Sequence, residues 1–349
     1  MKTIKKLISV LVSAVFIMSY TSTGLVSAAS NDNYPNDPNL GTSWQYAKVG
    51  IDDTWDAIDT KNEIVVAVLD TGLDVNLSDL KGRITDGYDF IGNTSDMVDT
   101  VGHGTMVSSC IAAVANNGIG IAGSAGMANV KIAPYRIGDK TLDNDAIHAA
   151  IIDASNRKDV RIINLSFGSN EYNASQAEAI AYAVSKGKII VACAGNHGAA
   201  MEGVDPYYYP ASYPGVISVG SMGLNGEIAA FSQCNDGIDL YAPGESIMAL
   251  LPDNRISWAN GTSFSAAIVS GICAGLLAQD PSLTADEVDS LLKETALSFS
   301  ETGQEYGCGL VQADKALEVL KSRMPLTYIQ KYTSMALNLW QLPLQRTTL

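Results

Sequence analysis

Five short runs of almost unbroken apolar, mostly β-branched residues set the strongest limit on how this chain can fold: Ile64–Leu69, Val130–Ala133, Arg161–Leu165, Lys188–Cys193 and Val216–Gly220. A strand with one wet face alternates apolar and polar residues; one covered on both faces does not. Between these runs, 103–115, 143–157 and 174–186 carry apolar residues at helical spacing, and Ile147, Ala150, Ile151 and Ala154 make one such face. The alternation predicts an α/β fold: a doubly wound, mostly parallel β-sheet with helices on both faces. Ligands of such sheets bind outside the carboxyl ends of the strands, which says where chemistry is to be sought.

Segment Thr262–Gln279 is apolar on most faces and rich in small residues, so it reads as a helix buried in the core. Helices near 284–296 and 313–321 follow. At the other end, Lys2, Lys5 and Lys6 precede an apolar run, Leu7–Tyr20, and the small residues Val26-Ser27-Ala28. That pattern is a signal peptide over 1–28, too short in its apolar part to span a bilayer, and it makes the protein secreted. The organisation expected is the signal, one domain over 29–321 and a tail, 322–349, with no assignable role.

All 37 acidic residues but only 15 of the 22 basic ones lie between 29 and 320, a net charge of −22 for that body. Nucleic acid and anionic membrane are excluded as partners, because phosphates would repel it. The five cysteines, Cys110, Cys193, Cys234, Cys273 and Cys308, are widely spaced and odd in number, so no full disulfide framework exists. Cys110, Cys193 and Cys273 sit among small apolar residues and read as free core cysteines.

Three histidines are present, and only His103 is set between glycines at a helix start; His148 reads as a helix filler, and His197 is placed in a loop that could line a site. Asp70 ends the first apolar run, where a carboxylate must be paired or cap the following turn. Ser263 starts the buried helix, near its free N–H groups; it is either an ordinary N-cap or, with Thr262 or Asn260 capping, a serine with no structural task. Asn196 ends another strand, as a turn residue or as an amide able to donate to an oxyanion.

In order, Asp70-Thr71-Gly72, Gly102-His103-Gly104-Thr105, Ala194-Gly195-Asn196 and Gly261-Thr262-Ser263 resemble the aspartate, histidine, oxyanion and serine motifs of the subtilisin-like serine proteases. Asn164–Ser169, Tyr209–Pro214 and Ala242–Gly244 are further matches, and the similarity runs from about Trp44 to Leu317. An α/β-hydrolase would need a different motif and order. The resemblance implies a secreted endopeptidase acting on protein or peptide substrates as a monomer. Asp70, His103 and Ser263 would be its catalytic triad, Asn196 its oxyanion donor and 166–168 (Ser166, Phe167, Gly168) its substrate-binding strand. A catalytically silent binding protein of the same fold is the alternative. Small residues at Ser166, Gly168, Ala194 and Ala211 suggest a roomy cleft and broad specificity.

Within the family the thermitase-like branch is the nearest in pattern. It implies structural calcium held by the side chains of Asp37, Asp79 and Asn117 and by the carbonyls of Ala115, Ile119 and Ile121, all hard oxygen donors. The chain departs from the family at Phe264 and Ala267, where Met and Pro are usual, and at Met106 and Ser109. Too few residues separate Ala28 from Pro35 for a folded propeptide, so folding is expected to proceed unaided or with a helper in trans.

Overall fold

The computed structural model describes residues 35–198, 205–299 and 307–324; the expected signal and all but the start of the expected tail lie outside them. Seven strands form one parallel sheet in the order β2-β3-β1-β4-β5-β6-β7. They are β1 Ile64–Asp70, β2 Tyr88–Asp89, β3 Val130–Arg136, β4 Val160–Leu165, β5 Ile189–Cys193, β6 Val216–Met222 and β7 Leu240–Pro243. A separate antiparallel hairpin joins β8, Ile247–Leu251, to β9, Arg255–Ala259.

The two-sided burial expected of the apolar runs is plain in β1, where every residue is buried. Ile64, Val66 and Val68 face a core shared with the short α1 (Trp44–Lys48), α2 (His103–Ala112) and α5 (Thr262–Gln279). Val65, Ala67 and Leu69 face a second core shared with α3 (Asn144–Asn156) and α4 (Ala174–Ser185). Side chains of Asp143 and Asn173 accept from the N–H groups of Ala146 and Gln176 and start α3 and α4. The last helices are α6, Ala285–Thr295, and α7, Ala313–Arg323, which runs two residues past the expected domain end.

Helix α2 stops at Ala112, short of the expected 115, because Ala113 turns to extended geometry. The N–H groups of Gly123, Ser124 and Ala125 return to the carbonyls of Ala113, Cys110 and Ile111, closing the helix end. Helix α5 is long and apolar enough to cross a bilayer, yet 94% of it is buried inside the protein. All five cysteines are free, with Cys110, Cys193 and Cys273 buried as expected.

Strand β1 has β3 on one side and β4 on the other, so the chain reverses its winding there. The crevice at the carboxyl ends of β1 and β4 is therefore the switch point where such sheets take ligands. Asp70 is the last residue of β1, and Ser166 is the first after β4.

Candidate active site

Strand β1 ends in a carboxylate, Asp70, that is 3% exposed. Its Oδ1 accepts from the Thr71 N–H and lies 2.7 Å from His103 Nδ1, while Oδ2 is buried with no hydrogen-bond partner found. His103 opens α2 and is also buried. A Cβ on Gly104 would strike the Gly72 carbonyl oxygen and come within 3.0 Å of Asp70 Cβ, so only glycine lets α2 approach this closely.

The loop before His103 is organised by a residue not singled out in the sequence. Asp99 is 5% exposed and accepts five hydrogen bonds. They come from Thr71 Oγ1, the N–H groups of Val101, Gly102 and Thr105, and Thr105 Oγ1. Thr71 Oγ1 accepts in turn from the Gly104 N–H at 2.9 Å, so β1 and α2 are tied through one carboxylate. The signal was an acid ahead of a Gly-His-Gly turn, the spacing of an Asx turn. Burial pulls the His103 pKa down, but the Asp70 charge, its hydrogen bond and the Asp99 charge outweigh it and raise the pKa above the ordinary value.

Ser263 is the second residue of α5, and its hydroxyl donates to the Ser166 carbonyl at 3.0 Å. Ser166 Oγ donates to the Ser263 carbonyl, Asn164 Nδ2 to Ser166 Oγ, and Ser270 Oγ to Asn164 Oδ1. This buried chain of bonds fixes α5 against the end of β4. Neither Thr262 nor Asn260 caps α5 as the sequence suggested. Asn260 accepts from the Ser246 N–H, and both the N–H and the hydroxyl of Thr262 donate to Asn196 Oδ1 at 2.8 Å. A residue from beyond β5 thus caps the helix, and pinning Oδ1 sets the plane of the Asn196 amide and the direction of its Nδ2.

Phe264 and Ala267, the departures in the serine segment, are buried without interrupting the helix, and the Phe264 ring centroid lies 6.0 Å from that of His103. Phe167 turns its side chain into the α3–α4 core. His148 sits on α3 against Ser175, away from the crevice.

The residues expected to hold calcium also converge. Asp37 accepts from the N–H groups of Asn116 and Asn117, and Asp79 from Asn117 Nδ2 and the Ile121 N–H. Among the described residues no group of three or more His, Cys, Asp or Glu forms a metal cluster.

Known proteins resemble this chain in sequence and in fold. The model of the subtilase family (Peptidase_S8) matches residues 61–310. A thermophilic serine proteinase of Bacillus sp. (strain AK1) is 34% identical over 291 residues, 82% of this chain and 69% of that protein. Thermitase of Thermoactinomyces vulgaris is 33% identical over 292 residues, 81% of this chain and 99% of that protein. Among solved structures, a protease from Pseudoalteromonas arctica PAMC 21717 superposes with a TM-score of 0.74 at 30% identity, over 82% of this chain and 100% of that one.

The Asp99 network carries its own test. Asp99→Asn removes the charge and turns a donor toward groups that need an acceptor, so it should cost about 2–3 kcal/mol in denaturant unfolding. It should also lower the His103 pKa, read by NMR titration of the imidazole. An unchanged titration would show that Asp99 does not act on His103.

Proposed function

The chain belongs to the subtilase family of serine endopeptidases, and on that premise we propose that it is an exported enzyme cutting proteins and peptides through an acyl-enzyme on Ser263. The observation that carries this reading is the buried 2.7 Å contact between His103 and Asp70 at the switch-point crevice, with Ser263 held at the start of α5 beside it. The Ser263 hydroxyl donates to the Ser166 carbonyl and would have to turn to the imidazole in the substrate complex, where catalytic hydrogen bonds form and tighten. His103 then takes the hydroxyl proton as Oγ attacks the carbonyl, and returns it to the leaving amine. Asp70 holds the Nδ1–H tautomer and stabilises the imidazolium. Asn196 Nδ2, its amide oxygen anchored by Thr262, donates to the oxyanion together with the Ser263 N–H. In subtilisin, a member of the same family, loss of such a donor costs about 10²–10³ in turnover. The substrate lies extended along the main chain of 166–168, which favours unfolded or loop segments. The exported location rests on the 1–28 pattern.

The donor chemistry also supports a structural calcium ion held by Asp37 and Asp79 with the carbonyls of Ala115, Ile119 and Ile121. The two carboxylates are 5% and 2% exposed, and the donors found on them are neutral N–H groups. Burial, with the charge of Asp37, pushes the Asp79 pKa up to about 6 against the pull of its hydrogen bonds, a cost that a cation would relieve. Asn117 turns Nδ2 to Asp79 and Oδ1 to the Ile119 N–H, so it would offer oxygen only with its amide reversed. When bound, the ion would supply positive charge and a tie between segments.

A fluorophosphonate probe should label the folded protein, and Ser263→Ala should abolish the label; unlabelled, folded wild type would end the peptidase reading. Because only neutral imidazole is a base, kcat/KM should rise with pH through a midpoint above the ordinary histidine value of about 6.5. A flat profile there would remove His103 from the role. Chelation should lower the melting temperature by about 5–10 °C, and added calcium should restore it; an indifferent melt would remove Asp37 and Asp79 as ligands.

A further inference from the structure

We propose that Tyr208 fills the pocket meant for the side chain of the residue that donates the scissile carbonyl, so that this enzyme cuts after glycine, alanine and serine and rejects large side chains. The inference rests on the peptidase reading above and names its substrate class. For that carbonyl to meet Ser263 Oγ with its oxygen toward Asn196, the residue bearing it must lie along 166–168. Its side chain is then directed into the gap between 166–168 and 194–196. The Tyr208 ring occupies that gap.

Tyr208 is 5% exposed. One edge of its ring faces Gly168: a Cβ there would lie 2.7 Å from Tyr208 Cδ1 and closer still to Cε1. The other edge faces Gly195, where a Cβ would lie 2.9 Å from Cδ2. Both are well inside van der Waals contact, so the ring reaches from wall to wall. The wall behind is closed as well. A Cβ on Gly195 would strike Gln233 Oε1, a buried acceptor with no partner found, while Gln233 Nε2 donates to the Pro206 carbonyl at 2.6 Å.

The main chain that carries the ring is tied down: the Tyr208 N–H donates to Ser212 Oγ, and the next residue, Tyr209, exchanges two 2.8 Å backbone bonds with Ser169, directly beyond the 166–168 segment. Gly168, one of the small residues that suggested a roomy cleft, is therefore a wall beside a tyrosine, and Gly195 is the facing wall. The space left by Gly168 and Gly195 is taken by the protein's own side chain.

The test is kcat/KM on peptides identical except at the residue before the scissile bond, with glycine, alanine, serine, leucine or phenylalanine there. Wild type should favour alanine over phenylalanine by about 100-fold or more, since several carbons are refused space. Tyr208→Gly should raise the phenylalanine and leucine values at least about tenfold and leave alanine within about threefold. Tyr208→Phe keeps the ring and should keep the wild-type ratio. Fluorophosphonate labelling of the same samples reports an active Ser263. A labelled wild type that cuts after phenylalanine as fast as after alanine overturns the assignment, as does a labelled Tyr208→Gly with the ratio unmoved. If Tyr208→Gly does not fold, the wild-type ratio and Tyr208→Phe decide. Folded wild type that neither labels nor cuts any peptide overturns the peptidase reading, and this inference with it.

Discussion

Helix α5 has no polar side to give to water, and the fold is arranged around that constraint. All its residues from Thr262 to Ala278 are buried, so it must be enclosed, and it lies against β1, β4, β5, β6 and β7 at once. Close approach is possible because its surface is made of small residues; a Cβ on Gly271 would strike the Ser124 hydroxyl. Apolar packing alone would let such a smooth rod slide. The polar chain from Ser270 through Asn164 and Ser166 to Ser263 removes that freedom, since sliding would leave buried donors unpaired at high cost. The residue placed at the crevice by this constraint is Ser263.

The other half of the site is held by charge in a place where charge is costly. Asp70 and Asp99 are both buried, and the hydrogen bonds they accept keep them tolerable there. Their combined effect on His103 has a definite sign for stability. In the unfolded chain a histidine titrates near about 6.5, and in the fold the imidazole is easier to protonate. The pairing therefore stabilises the fold fully below the unfolded value, and that contribution is lost as pH rises through the folded one. The charge state that favours the fold is the one that cannot act as a base.

Much of this was legible in the sequence, and the parts that were not share a cause. Ile64–Leu69 and Thr262–Gln279 declared themselves because full burial removes polar residues from the pattern. Strand β9 was missed because Arg255 and Ser257 interrupt its apolar residues and most of it faces outward or partly outward, whereas β8, Ile247–Leu251, is an unbroken apolar run that the reading passed over. Strand β2 has two residues, too few to carry any period. Asp99 was passed over, since three of the five hydrogen bonds it accepts come from main-chain groups that leave no mark on composition. Gly168 and Gly195 signal that something approaches closely, but not what; the fold shows that the approach comes from Tyr208, further along the chain.

Helix α2 connects the two regions that need the most help from outside the core. Its N-terminus carries His103, and the chain leaving its C-terminus enters the 115–121 loop that meets Asp37 and Asp79. Ten residues of helix span about 15 Å and are stiff over that length, so the two ends could in principle be coupled. They are nonetheless held by different groups. Asp99 and Thr71 fix the His103 end to β1, while the far end is closed by Gly123, Ser124 and Ala125 and by the contact of the 115–121 loop with the N-terminal arm. Loosening the loop therefore frees the arm and the surface it covers without releasing the Asp99 anchor. On this arrangement an ion at the loop would govern how long the protein survives more than how fast its site turns over.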